Sequence, residues 1–323
     1  DFVSKQTKSY ETIYILCGLF ALGPSTWNLF ERFFEEKIIY HSDFNRSFRG
    51  ELKESLNMLI ESMLELITDS LNGNQTKEGD ATSESIMGVM STFVKCNERL
   101  MTQDQLITIQ PYIINDYKGS NICFYALEIL NLVLNHQKLL NKSFVQSCKD
   151  SLMKRLTKFN SKELDRAIQC VWKLFLIGGN TEGVSKACIS SLQMLLKYIV
   201  ELQKSVRNFK SDMVVPRLLY LIGGFGRYCN FEKDRNLFIS AKLGLMEMEP
   251  ISVFLLKYLL KFCDSSIEKS IRKIGIKNAL NICISHPKLF FSIPVAKLIE
   301  SIFKKRDLVI SNIVIGSFLT FLE

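Results

Sequence analysis

The sequence predicts an all-α fold, built as a curved or hook-shaped α-solenoid. Three observations carry that reading. Of 323 residues, 47% are hydrophobic but only six are proline and sixteen glycine, so breaks in the chain are sparse. The apolar runs are long, and rich in Leu, Ile, Phe and Lys rather than alternating at strand period. From about residue 86 onward the chain repeats helix, short turn, helix at close to forty residues. That is the rhythm of HEAT-type repeats, in which stacked helical hairpins share one continuous core.

Element by element, residues 1–70 read as a helical segment of the solenoid. Its last block, "RGELKESLNMLIESMLELITDSL", is amphipathic, with Leu56, Leu59, Met63 and Ile67 at helical spacing. Residues 71–85, "LNGNQTKEGDATSES", are polar and glycine-bearing and are expected to form a mobile loop. HEAT-type repeats then fill residues 86–323. Helices are expected at 86–97, 103–114, 121–135, 141–159, 161–177, 184–209, 216–229, 250–263, 266–284, 293–303 and 308–322. Pro216 suits a first turn, where a missing N–H is harmless, and "LIGGN" at 176–180 reads as a glycine C-cap. Asp264 and Ser265 are placed to cap the helix after them. Gly275 and Ala279, and likewise Gly316 and Ser317, supply small residues for packing faces.

"LIGGFGRYCNF", residues 221–231, resembles a phosphate loop at first sight. A P-loop needs lysine and a hydroxyl after its last glycine, and Arg227, Tyr228 and Cys229 stand there instead. A dinucleotide loop needs a third glycine where Cys229 stands. Leu218, Ile222, Phe225 and Cys229 instead form one helical stripe, with Gly223 and Gly226 flanking it on the side of Leu219. Each interior glycine costs a helix roughly 1 kcal/mol against alanine. Close approach of a neighbouring helix is the packing reason for them.

Nine scattered cysteines, with no C-x-x-C pair, read as reduced, buried thiols of an intracellular protein. His41, His136 and His286 are too far apart for a local zinc site, so no metal or other cofactor is expected. "IYILCGLFAL", residues 13–22, is too short to span a bilayer. The start at Asp1 and the stop just after "FLTFL" are expected to be cuts in a larger protein. No carboxylate pair or nucleophile grouping is local in sequence, which points away from an enzyme.

The formal charge of +8 fits a nucleic-acid or acidic-protein partner, or solubility alone. Lys269, Lys273 and Lys277 recur at i, i+4 and i+8 and form one ridge on the second helix of a pair. Like charges at that spacing repel, and an external anion relieves them; a solvated lysine face is the competing reading. Arg272 is expected to pair back to Glu268. Lys304, Lys305 and Arg306 sit in a turn at a helix C-terminus, where the helix dipole alone accounts for cations. Lys154, Arg155 and Lys158 form a third cluster. None is interleaved with aromatics, so duplex backbone rather than single strand is the natural nucleic-acid target.

From about Ala81 to Glu323 the sequence resembles the C-terminal HEAT-repeat region of the adherin, or Nipped-B, family of cohesin loaders. "MTQDQLITIQPYI" and "NICFYALEILNLVL" look like the paired helices of one family repeat, and "KDSLMKRLTKF" resembles the next segment. In "RLLYLIGGFGRYCNF" the matched positions are Arg217, Gly223, Arg227 and Phe231; "ISHPKLF" supplies His286 and Pro287, and "VISNIVIGSFLTFLE" the last helix. Gly226, Asn230 and Gly316-Ser317 depart from the family pattern. The resemblance implies a non-catalytic scaffold, nuclear and chromatin-associated. It would help load cohesin for sister-chromatid cohesion and loop formation. It would contact the ring's SMC ATPase heads, its kleisin and duplex DNA without sequence specificity, and stimulate ATP hydrolysis by the ring. A region outside this chain would dock the second loader subunit. The alternative is another HEAT-repeat carrier, such as a nuclear transport receptor.

Overall fold

In the computed structural model, residues 2–23, 25–29, 32, 46–72, 77–96, 101–114, 121–135, 140–204 and 214–322 are described, and among them every regular element is helical. The chain divides into two compact units, Asp1–Arg155 and Leu156–Glu323.

The first unit contains α1 (Phe2–Ala21), α2 (Arg46–Asn72), α3 (Lys77–Cys96), α4 (Gln103–Ile114), α5 (Ile122–Val133) and α6 (Lys142–Arg155). Helix α3 packs on α1, α2 and α5, and α4 on α2, α5 and α6. The buried stripe of α2 is Leu56, Ile60, Met63 and Ile67; Leu59, expected in it, is only partly covered. The Trp27 indole donates to Thr92 Oγ1 at 3.0 Å, and the Tyr112 hydroxyl to the Ile67 carbonyl at 3.1 Å, so both large rings bury without losing a polar partner. Residues 77–85 were expected as loop but form the first turns of α3; 73–76 lie outside the described residues. Tertiary contact outweighs the polar composition there. Ser83 is buried, and Asn121 Nδ2 donates to Glu84 Oε1 at 2.8 Å. The helix expected over 141–159 ends at Arg155, where the chain turns so that Leu156 and Phe159 bury.

The second unit contains α7 (Ser161–Ile177), α8 (Glu182–Lys204), α9 (Val214–Tyr228), a 3-10 turn (Glu232–Asp234) leading into α10 (Arg235–Ser240), α11 (Ile251–Leu260), α12 (Lys269–Ser285), a second 3-10 turn (Pro287–Phe291), α13 (Ile293–Lys304) and α14 (Leu308–Leu322). Helix α7 opens with a reciprocal capping box: Asn160 Oδ1 accepts from the Lys162 and Glu163 amides while Glu163 Oε2 accepts from the Asn160 amide. It closes through Gly179, whose φ of 69° lets the Asn180 amide reach back to the Phe175 carbonyl. Helices α8 and α9, α11 and α12, and α13 and α14 pack as successive pairs, and the second helices form a layer in which α9 contacts α12 and α12 contacts α14.

Helix α9 is the hub, packing on α7, α8, α11 and α12. Its glycines are the reason. A Cβ on Gly223 would lie 2.5 Å from Asn278 Cβ, one on Gly226 2.6 Å from Ile282 Cδ1, and one on Gly224 2.6 Å from Ile168 Cδ1. The neighbours sought by the sequence are thus α12 on one face and α7 on the other. The pairs Tyr220–Lys277, Gly223–Asn278 and Gly226–Ile282 ascend together, so α9 and α12 run side by side in the same sense. Gly275 has the same role lower in α12, where a Cβ would meet the Phe262 carbonyl oxygen at 2.8 Å. Gly316 does not: nothing lies within 4 Å of it. Ser317 beside it is buried and donates to the Ile313 carbonyl at 2.9 Å.

The sequence treats 230–249 as a plain connection, but it is tied down. Glu232 accepts the Ile251 amide at 2.9 Å, opening α11, and forms an ion pair with Arg235. Arg235 Nη1 in turn holds the Glu247 and Glu249 carbonyls at 3.0 and 2.8 Å. Helix α12 begins at Lys269 rather than 266, because Asp264 is occupied otherwise: its Oδ1 accepts from the Ser266 amide and hydroxyl, a local turn that delays the helix instead of capping it.

The contacts at Gly223 and Gly224 differ in what can yield. Gly223→Ala should destabilise the protein by about 1–3 kcal/mol, because it drives a methyl into the base of Asn278. Gly224→Ala should be near neutral, since the tip of Ile168 can swing while the helix gains up to about 1 kcal/mol in propensity. Urea-unfolding midpoints check this; equal effects at the two positions would refute it.

Candidate polyanion interface

Helices α9 and α12 lie next to each other and contain Arg217, Arg227, Lys269, Arg272, Lys273 and Lys277 but no carboxylate. The lysine ridge of α12 is exposed along its length, though its members are unequal. Lys269 Nζ pairs with Asp307 Oδ2 at 2.9 Å. Lys277 Nζ lies 5.6 Å from the centre of the Tyr220 ring on α9, a cation–π contact. Lys273 stands between them and, among the described residues, has no ion-pair partner. Arg217, one turn before Tyr220 on α9, is also exposed. Arg272 does not pair with Glu268 through its side chain: its Nε donates to the Cys263 carbonyl at 3.1 Å, closing the turn before α12, while Glu268 Oε1 accepts the Ser270 hydroxyl.

The Lys269–Asp307 pair brings the ridge to the turn holding Lys304, Lys305 and Arg306. Asp307 Oδ1 also accepts the Ile310 amide at 3.4 Å, so one carboxylate joins the start of α14 to the start of α12. Its hydrogen bond to Lys269 holds the Asp307 carboxyl below the usual range. Lys304 pairs with Glu300 at 2.6 Å, leaving Lys305 and Arg306 as the outward cations at the α13 C-terminus. Arg306 has φ 51°, the left-handed conformation that ends α13. Lys305 and Arg272 help keep the Asp264 carboxyl low, after the two Ser266 hydrogen bonds that dominate.

The third cluster divides between the two units. Arg155 is half-buried, its Nη1 donating to the Ile113 carbonyl inside the first unit. Lys154 is exposed beside it, and Lys158 is exposed in the second unit.

The remaining sequence-marked residues are structural. Phe231 is buried, with Trp172, Phe225 and Phe238 around it at ring-centre distances of 5.9, 6.4 and 5.3 Å. Arg227 lies over the Tyr228 ring at 5.0 Å, and the Tyr228 hydroxyl donates to Asp165 of α7. Burial and the Asp165 charge push that phenol up to about 12. His286 ends α12 because Pro287 disfavours helical backbone before it. It lines a small cleft of about 40 Å³ with Gly226, Cys229, Asn230, Glu232, Ile251 and Ser252. Desolvation lowers its pKa below 6.5, against the opposing pull of Glu232 and a hydrogen bond to the Gly226 carbonyl.

Among the described residues no three His, Cys, Asp or Glu side chains converge as metal ligands. Burial pushes the Cys148, Cys263 and Cys283 thiols up to about 12, so they react weakly as thiolates. Of the described helices none is long and apolar enough to cross a membrane.

Comparison with known proteins finds relatives for most of the chain. The chain is 26% identical over 311 residues, 96% of its length, to sister chromatid cohesion protein 2 of Saccharomyces cerevisiae, and 26% identical over 275 residues, 84% of its length, to sister chromatid cohesion protein mis4 of Schizosaccharomyces pombe. The chain is homologous to these sister chromatid cohesion proteins. The likeness reaches into the first eighty residues, which the sequence motifs left unmatched. The chain spans 20% and 17% of the lengths of these two relatives. Its fold matches the C-terminal fragment of the Chaetomium thermophilum cohesin loader SCC2 with a TM-score of 0.83 and 18% identity, over 98% of this chain and 23% of that one. This cohesion-protein homologue is therefore an α-solenoid segment, as its helix rhythm predicts. No family model matches.

Sequence reasoning missed Glu232 and Arg235 as organising residues, and the His286 cleft that Glu232 lines. The native His286 protonates less readily than the unfolded one, so the stability it supplies is complete above pH about 6.5 and falls as pH drops through the window below. Its imidazole should titrate below 6.5 by NMR, and Glu232→Gln should lower the midpoint further by removing the opposing charge. A midpoint that rises on that substitution contradicts this account.

Proposed function

We propose that this chain is part of a cohesin-loading factor, a non-catalytic scaffold supporting sister-chromatid cohesion in the nucleus. The single observation that carries the reading is homology to the two sister chromatid cohesion proteins over nearly the whole chain. In this role the parent protein binds the SMC–kleisin ring and duplex DNA on chromatin, and stimulates the ring's ATPase. The second loader subunit is held by a region outside this chain.

Charge layout supports the DNA part. The exposed cations of α9 and α12 face no carboxylate on their own helices. Lys273, Lys305 and Arg306 carry the contact, joined by Arg217. Lys269, Lys277 and Arg155 contribute less, because each already has an internal partner.

The test is duplex-DNA binding by the full-length protein across a salt series. Reversing Lys273 and Lys305 to glutamate should weaken binding and flatten the dependence of log affinity on log salt by about one per lost phosphate contact. Reversal of Lys269 should perturb stability instead, through Asp307. Unchanged affinity and slope in the Lys273/Lys305 variant would remove this surface from the DNA reading. Loss of cohesin ATPase stimulation with intact DNA binding would assign it to the ring.

A further inference from the structure

The sequence places Ser265 as a helix cap, and the structure gives it no such task. Its neighbours close the turn ahead of α12. Asp264 Oδ1 accepts from the Ser266 amide and hydroxyl, both at 2.8 Å, and Arg272 Nε donates to the Cys263 carbonyl. Ser265 is exposed in this turn, and among the described residues its hydroxyl has no hydrogen-bond partner.

Its surroundings are those of a substrate for an acid-directed serine kinase. Such an enzyme has a cationic groove and selects a hydroxyl by the carboxylates around it. Asp264 precedes Ser265, and Glu268 stands three residues after it. The other described hydroxyls three residues ahead of a carboxylate are those of Ser62, Ser147 and Thr320. Each of these lies inside a helix, where the backbone groups a kinase would engage are already paired. Ser265 lies in a non-helical turn.

This turn adjoins the basic surface. Arg272 reaches back to it from α12, and Lys269 at the start of that helix is tied to Asp307, next to Lys305 and Arg306. After the Ser266 hydrogen bonds, the charges of Lys305 and Arg272 also hold the Asp264 carboxyl low, one residue from Ser265.

We infer that Ser265 is a phosphorylation site for an acid-directed serine kinase, and that its phosphate switches off the polyanion surface of α9 and α12. The inference rests on the duplex-DNA reading of that surface. In the reaction Ser265 Oγ attacks the γ-phosphorus of ATP. The bond from that phosphorus to the bridging oxygen breaks, ADP leaves, and the hydroxyl proton passes to a carboxylate of the kinase. The product carries a charge of about −1.5 to −2 at pH 7. That charge competes with external phosphate for Lys305 and Arg272 and repels a DNA backbone.

The experiment treats the full-length protein with an acid-directed serine kinase and magnesium-ATP. Mass spectrometry maps the phosphate, and duplex-DNA affinity is measured across a salt series. Phosphate is expected on Ser265, with affinity about three- to tenfold lower and the salt slope flatter by about one to two. Ser265→Ala should keep the affinity of the unmodified protein and lose the response to kinase. Glu268→Gln removes a charge while keeping an acceptor for the Ser270 hydroxyl, and should slow incorporation about tenfold. No phosphate on Ser265, or phosphate there without loss of affinity, would overturn the inference. The Lys273/Lys305 reversal, run in parallel, separates the causes. If that variant also binds DNA unchanged, the DNA reading falls too; if it binds more weakly, only the switch falls.

Discussion

The second unit depends on one close approach, that of α9 to α12 across Gly223 and Gly226. Two helices with ordinary side chains at those positions would stand further apart, and the rest of the arrangement would loosen with them. The same helix packs Phe225 against Phe231 and donates the Tyr228 hydroxyl to Asp165 of α7. Interior glycines weaken a helix in isolation. Here the loss is offset by packing on two sides, with Ile168 entering from α7 and Ile282 from α12. Backbone proximity also places Lys277 on the Tyr220 ring, so the position of the basic surface follows from the same contact.

Much of this was legible in the sequence. Helices α4 and α7 fall on their expected residues, and reciprocal caps, Thr102 with Gln105 and Asn160 with Glu163, open them in the structure. The failure of the glycine stretch as a nucleotide loop was legible too, since the missing lysine and hydroxyl are chemistry rather than conformation. What was hidden depends on distant partners. Residues 77–85 look like a loop until Ser83 is buried and Glu84 meets Asn121. Arg272 has an obvious carboxylate four residues back, yet a nearby carbonyl takes it. The equal spacing of Lys269, Lys273 and Lys277 conceals three environments, set by Asp307, solvent and Tyr220, and no local pattern announces any of them.

Along the second-helix layer the side-chain character changes in steps. Helix α7, which packs on α9, mixes both signs of charge, while α9 and α12 of the layer carry only cations and α14 carries no charge. Since the backbone architecture barely changes between them, the solenoid acts as a neutral carrier on which surface chemistry varies from repeat to repeat. Asp307 sits at the step between the cationic and apolar helices. It caps one and neutralises the first lysine of the other, which separates the two kinds of surface without a loop or a break.

Asn278 has a consequence beyond packing. Its Nδ2 is satisfied by the Ile274 carbonyl, while its Oδ1 is buried without a hydrogen-bond partner and lies against the bare backbone of Gly223. An added methyl at 223 would meet that amide, 2.4 Å from Oδ1 and 2.5 Å from Cβ. The buried oxygen, short of a partner, costs some stability, and the bare backbone beside it is what lets the amide stay at that depth.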